Sequence, residues 1–250
     1  MKVFSIVNQK GGVAKTTTAL NLVGGLSKLG YKTLAVDLDP QQSLSNCLQA
    51  STEGATALNV LLGEADIKKA IVHTPEADVL PAGRNLAQAD SVLTKPGKEY
   101  RLKEALSAVK KLYDFVVIDT SPALGTMTVN AIVAADALII PAIADRLSLE
   151  GIGYLMETVA PIKQYFNTSL KVEGILLTQF EGRAVITREI TDLAEQIAAK
   201  IDSKVFTARI RRGVAVKESQ ARRQSLFAYN PACNPARDYM DLINELLKEG

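Results

Sequence analysis

A single-domain α/β fold, with one mostly parallel, twisted sheet and helices on both faces, is what this 250-residue sequence predicts. Three observations carry that prediction. Short apolar, β-branched runs alternate with longer segments of helical period from one end to the other, the order of a parallel sheet wrapped by crossover helices. Several of the strand-like runs are apolar throughout rather than at every second position, as strands covered on both faces are. A composition of 47% apolar and 22% charged residues supplies a sizeable core and excludes disorder or collagen-like structure. No linker-like Pro/Gly/Ser tract, repeat or low-complexity segment divides residues 1–250, which read as one domain.

The elements follow in order. Val3–Val7 is an apolar first strand, stopped at once by Asn8 and Gln9, and Lys15–Leu29 carries Leu20, Val23 and Leu26 at helical spacing. Thr33–Leu38 is the second strand, Leu58–Leu62 a short helix and Val79–Pro81 a strand closed by its proline. Tyr100–Leu112 has a helical period, Phe115–Asp119 is a strand of Val and Ile that ends on a carboxylate, and Thr126–Ala135 is an apolar helix. Ala137–Pro141 and Val172–Thr178 are strands on either side of a helix over Leu149–Tyr165. A helix over Thr187–Ala199, a short strand at Lys204–Phe206 and a closing helix over Ala236–Leu247 complete the chain.

Several chemistries drop out. Cys47 and Cys233 stand in unrelated contexts with no Cys-x-x-Cys spacing, which argues against a disulfide scaffold and a zinc site. His73, the one histidine, lies in an Ile-Val-His-Thr stretch and reads as structural or solvated, so Ser/His/Asp catalysis and multi-histidine metal sites are not expected. The N-terminal apolar stretch is too short for a signal peptide, and no run is long enough to cross a bilayer, which predicts a cytoplasmic protein. A net charge of +2 is uninformative as a whole. Locally it is not: Lys200 to Ser225 holds eight basic and two acidic residues, a net +6, on a body that otherwise carries −4. That asymmetry suggests a basic face.

Directly after the first strand comes Asn8-Gln9-Lys10-Gly11-Gly12-Val13-Ala14-Lys15-Thr16-Thr17-Thr18, then an apolar helix. Strand, glycine turn and helix start make a phosphate cradle. Glycines let backbone N–H groups converge on an anion, the helix N-terminus adds its positive dipole end, Lys15 brings a point charge for the outer phosphates, and Thr16 offers a hydroxyl to Mg²⁺. Lys10, Gly11, Gly12, Val13, Ala14, Lys15, Thr16 and Thr17 are the expected nucleotide-binding residues. The strict pattern G-x-x-x-x-G-K-S/T fails, because Gln9 and Ala14 occupy the glycine positions.

What the segment matches is K-G-G-x-x-K-S/T, the deviant Walker A box, and with it the chain resembles the ParA-type partition ATPases of the wider ParA/MinD group. Further blocks recur in the family's order: Val36-Asp37-Leu38-Asp39-Pro40-Gln41 resembles D-x-D-P-Q, Val116-Val117-Ile118-Asp119 the Walker B strand, and Leu149-Glu150-Gly151 a shared later segment. The similarity spans nearly the whole chain and implies a P-loop NTPase fold, ATP and Mg²⁺ as ligands, slow partner-stimulated hydrolysis, and an ATP-dependent homodimer. Lys10 would reach in trans to the partner subunit's phosphates, as an arginine finger does. Asp39 would orient the attacking water, Asp119 would hold Mg²⁺ through water, and Asp37 would hold the loop or waters around the metal. No N-K-x-D box occurs, so ATP is expected over GTP.

The resemblance further implies non-specific binding of double-stranded DNA, a ParB-like adaptor and a nucleoid-associated protein that positions a plasmid or chromosome. Arg183 matches an arginine that relatives use for DNA. Ile210-Arg211-Arg212-Gly213-Val214-Ala215 aligns with a segment usually reading I-P-R-N-V-R, which often serves the adenine pocket and DNA contact. Its last arginine is Ala215 here, leaving Arg209, Arg211, Arg212, Lys217, Arg222 and Arg223 to supply the charge. The chain leaves no room before the first strand for a helix-turn-helix, so operator binding is not expected. A protein cargo such as a carboxysome is the alternative, and a MinD-like membrane cycle a further one. The closing helix, with Asp238, Asp241, Glu245 and Glu249, would be repelled by anionic lipid.

Overall fold

A computed structural model describes residues 1–181 and 185–248. Its strands are β1 (Lys2–Ile6), β2 (Thr33–Leu38), β3 (Val72–His73), β4 (Asp78–Leu80), β5 (Phe115–Thr120), β6 (Ala137–Ile143) and β7 (Lys171–Thr178). The helices are α1 (Lys15–Lys28), α2 (Ser43–Cys47), α3 (Ala57–Leu62), α4 (Ile67–Ala70), α5 (Ala89–Val92), α6 (Arg101–Ser107), α7 (Thr126–Ala134), α8 (Arg146–Tyr165), α9 (Val185–Lys200), α10 (Val214–Ala221), α11 (Leu226–Tyr229) and α12 (Asn234–Lys248).

The strands join in one seven-stranded sheet, ordered β3-β4-β2-β5-β1-β6-β7. All pairs are parallel except β3 with β4 at one edge. Because successive side chains point to opposite faces, each all-apolar strand feeds two cores. Phe4, Ile6, Ala35, Val117, Ile139 and Leu176 meet α1, α11 and α12 on one face. Val3, Leu34, Val36, Val116 and Ile118 on the other face meet α3, α6 and α7, while Leu138, Ile140, Ile175 and Leu177 meet α8 and α9. α11 and α12 lie so close to α1 that a Cβ on Gly25 would collide with Phe227 and Ile243.

Sequence and structure part in a few places. Lys204–Phe206 is not a strand: Val205 makes one isolated bridge to Ile175. The chain there is a strap along the β7 edge, bonded by Phe206 N–H to Ile175 (3.0 Å) and by Ile210 N–H to Leu177 (2.9 Å). Between those two bonds the Thr207 and Ala208 amides turn away to the Glu245 carboxylate, at 3.0 and 3.2 Å, so no ladder can form. The helix expected to reach Leu112 ends at Ser107, where the backbone tightens into i to i+3 turns at Ala108, Val109 and Leu112. β3 and the short helices α2, α4, α5, α10 and α11 carry too few residues to show a period.

Candidate functional site

β1 delivers the chain to Asn8, whose side-chain amide donates to the Pro141 carbonyl (2.7 Å) and whose carbonyl oxygen accepts from the Lys10 amide (2.9 Å). Gly12 then takes φ +75° and Ala14 φ +72°, both left-handed. Glycine adopts this conformation freely, whereas alanine adopts it at about 1–2 kcal/mol. The turn is held from the β7 end: Thr178 Oγ1 donates to the Val13 carbonyl (3.1 Å) and Gln179 Nε2 to the Gly12 carbonyl (3.0 Å). The first α1 bond on the loop side runs from Thr18 N–H to the Ala14 carbonyl (2.9 Å). The amides of Lys15, Thr16 and Thr17 are therefore directed at the loop. A Cβ placed on Gly11 or Gly12 would meet nothing within 4 Å, and a cavity of about 740 Å³ opens over the turn.

Charged side chains converge below that cavity. Lys15 is buried, and its Nζ donates to the Lys10 carbonyl (3.1 Å). Burial lowers its pKa, with Asp119 and Asp39 pulling the other way. Asp119, opposite Ile6 and Asp37 in the sheet, is wholly buried, and neither of its oxygens accepts a hydrogen bond of good geometry. Burial, then Asp37, pushes its pKa well up, although the nearby Thr16 hydroxyl favours the charged form. An unpartnered carboxylate in this position is costly. A divalent cation carrying a polyphosphate fits the set: Asp119 and the Thr16 hydroxyl beside the cation, Lys15 and the loop amides around the anion.

Asp37 is different. Its oxygens accept from the Ser45 amide (2.8 Å), the Ser45 hydroxyl (2.7 Å) and the Asp39 amide (3.0 Å), so it holds the β2–α2 turn while burial raises its pKa to about 6. That turn presents Asp39 to the cavity, with Oδ1 accepting from the Gln41 amide (2.9 Å). Lys10 does not join the cavity lining: its Nζ lies 3.2 Å from both carboxylate oxygens of Asp145.

The basic residues divide into two groups. Arg211, Arg212 and Lys217 line the cavity wall facing the loop. Arg211 is gripped by Asp238 through Nε at 3.0 Å, and Arg212 pairs with Glu181 at 3.2 Å. Arg209 stacks over the Phe180 ring at 5.0 Å, with its Nε buried and unpartnered. Arg222, over the Tyr229 ring at 5.4 Å, and Arg223, in the left-handed conformation at φ +55°, form an exposed tip just past α10. Arg183 lies outside the described residues. Sequence reasoning missed Thr178, Gln179, Gln220 and Tyr239, which also line the cavity, because each comes from an element remote in sequence from the loop.

His73 Nδ1 hydrogen-bonds the Asp78 carboxylate at the exposed β3 edge. Both cysteines are free and half-buried, and Cys47 touches the cavity. Among the described residues no group of His, Cys, Asp and Glu is arranged to hold a metal by itself, and no helix is long and apolar enough to cross a membrane.

Residues 1–172 match the family model described as an AAA domain. The sporulation initiation inhibitor protein Soj of Bacillus subtilis is 36% identical over 255 aligned residues, covering 100% of this chain and 99% of that protein. The chromosome partitioning protein ParA of Caulobacter vibrioides is 35% identical, covering 99% of this chain and 94% of that protein. Among solved structures, cobyrinic acid a,c-diamide synthase from Mycobacterium smegmatis with bound ADP and magnesium superposes with a TM-score of 0.87 at 31% identity, over 100% of this chain and 95% of that one.

Proposed function

Because this chain belongs to the AAA-domain family of Soj- and ParA-type partition ATPases, we propose that it is an ATP-hydrolysing dimer that binds DNA without regard to sequence and positions a plasmid or chromosome through a ParB-like adaptor. One observation carries the nucleotide part: the buried, unpartnered Asp119 and the buried Lys15 face one glycine turn with free space above it. Bound Mg²⁺ would neutralise charge on the phosphates and draw off charge as the outer one leaves. Lys15 and the amides of residues 15–17 hold the phosphates, Thr16 and Asp119 position the cation, and Asp39 sits where it can orient a water and accept its proton. Lys10, outside the lining of its own cavity and held there by a half-exposed pair with Asp145, would exchange that carboxylate for a partner's phosphates. Hydrolysis is slow until an adaptor completes the site.

DNA contact falls to the exposed tip of Arg222 and Arg223, with Lys217 and Arg183 adding charge, because Arg209 and Arg211 are engaged within the fold. Dimerisation puts two tips on one surface and multiplies their phosphate contacts. The membrane alternative is disfavoured by α12, whose Tyr239, Leu242, Ile243 and Leu246 are buried against the body of the protein. In this reading the protein works in the cytoplasm, on the nucleoid. Its cargo is DNA in this reading; a protein cargo would need the same ATPase and a different adaptor.

Nucleotide titration with phosphate release tests the site. Lys15→Ala should lose ATP binding, and Asp39→Ala should bind ATP and fail to hydrolyse it. Intact ATP affinity in Lys15→Ala would refute the assignment of the loop.

A further inference from the structure

We propose that Gln220 is a positioning residue that transmits the occupancy of the phosphate loop to the basic tip, by registering α10 against Thr17. Gln220 Nε2 donates to Thr17 Oγ1 at 2.9 Å. Thr17 is buried in the first turn of α1, one residue past the expected cation ligand Thr16. Thus a hydrogen bond joins the phosphate-binding turn directly to the helix that leads to Arg222 and Arg223.

The geometry around this bond makes α10 a lever. On its cavity side α10 presents Val216, Lys217 and Gln220, so this helix forms part of the wall opposite the loop. Beyond α10 the tip is anchored again to the same helix α1: Leu226 N–H donates to Asn21 Oδ1 (2.8 Å), and Asn21 Nδ2 donates to the Thr17 carbonyl (2.8 Å). Gln220 and Leu226 bracket the tip, and both attachments lead back to Thr17. Between them Arg223 sits in a left-handed conformation that non-glycine residues adopt uncommonly, its carbonyl accepting from Gln49 Nε2 (3.1 Å) and the Ser225 amide donating to Glu76 (3.0 Å). A small shift of Thr17 around bound phosphate therefore changes the register of α10 and the tip together. No rearrangement of the sheet is needed. Two tips on one dimer surface would bind only weakly if α10 were free to slip.

This inference rests on the DNA reading only for its consequence; the relay itself is measured without DNA. Amide hydrogen exchange of wild type and Gln220→Met, which keeps the side chain's length and removes its donor, is followed with and without a saturating magnesium complex of a non-hydrolysable ATP analogue. Protection of residues 8–17 reports that the analogue is bound, and protection of β5 reports that the variant is folded. In wild type the analogue should slow exchange in residues 214–226 by at least about fivefold, the lower end of ordinary site-to-site coupling. In Gln220→Met the loop should still respond and residues 214–226 should not. Equal responses at 214–226 in both proteins, or none in wild type, would overturn the relay. So would a variant that no longer binds the analogue, since Gln220 would then belong to the nucleotide site itself. Duplex DNA titrations run alongside separate the two ideas: wild type that shows the exchange response and never binds DNA keeps the relay and loses the DNA reading.

Discussion

Lys10 Nζ lies 3.2 Å from both carboxylate oxygens of Asp145, and the same carboxylate caps α8 by accepting from the Ser148 amide at 2.7 Å. The lysine assigned to a partner's phosphates is thus held within its own chain by a half-exposed ion pair. Such pairs are worth about 0.2–1 kcal/mol, weak enough to be exchanged for a phosphate.

Asp145→Asn should keep the helix cap, because asparagine caps as well as aspartate, and remove the charge that competes for Lys10. ATP-dependent dimerisation, followed by light scattering, should tighten by about 1.4- to fivefold for each ion pair removed, the equivalent of its energy. Unchanged dimerisation would show that the pair does not compete.

Asp119→Asn should stabilise the nucleotide-free protein and abolish its stabilisation by Mg–ATP. Asparagine leaves a polar amide in the site and removes only the buried charge, a relief of about 1–3 kcal/mol, and each kcal/mol is about 2–4 °C of melting temperature in a chain of this size. Thermal melts with and without Mg–ATP check both halves. A variant that melts lower without nucleotide would mean that Asp119 has a structural partner.

Ala14→Gly should relax the turn. Left-handed alanine costs about 1–2 kcal/mol, and the added freedom of glycine in the unfolded chain returns about 0.4–1 kcal/mol of that. The net effect is a melting temperature higher by up to about 6 °C, with ATP binding retained. Gly12→Ala, at φ +75°, should shift it in the opposite direction.

How much of this was legible in the sequence depends on how local each feature is. Thr33–Leu38 and the start of α1 at Lys15 are found where the residue pattern puts them, because an apolar β-branched run and a strand-glycine-helix order are local signals. The positions of the loop residues, Asp39 and Asp119 in the fold were legible for the same reason: each stands at the end of a strand or in the turn after it. The basic segment was legible as charge and not as geometry. Arg211 finds Asp238 on α12, Arg209 finds Phe180 past β7, and Glu245 draws out the strap that the sequence suggested as a strand. Those partners lie a helix or more away, and no local pattern announces them. The fold alone would not have decided the function either, since a structure named for cobyrinic acid amidation superposes on it as well.

The central claim is that ATP, through Lys10 in trans, assembles a dimer whose tips hold DNA. It is tested most directly by the affinity of Asp39→Ala, which should be arrested with ATP bound, for duplex DNA across a salt titration in Mg–ATP, with and without two further changes. The arrested protein should bind DNA of any sequence with a steep inverse dependence on salt. Adding Lys10→Ala should remove that binding while ATP is still bound, and adding Arg222→Glu and Arg223→Glu should weaken it uniformly across sequences and flatten its salt dependence. Equal DNA affinity in all three proteins, at every salt concentration, would contradict the account.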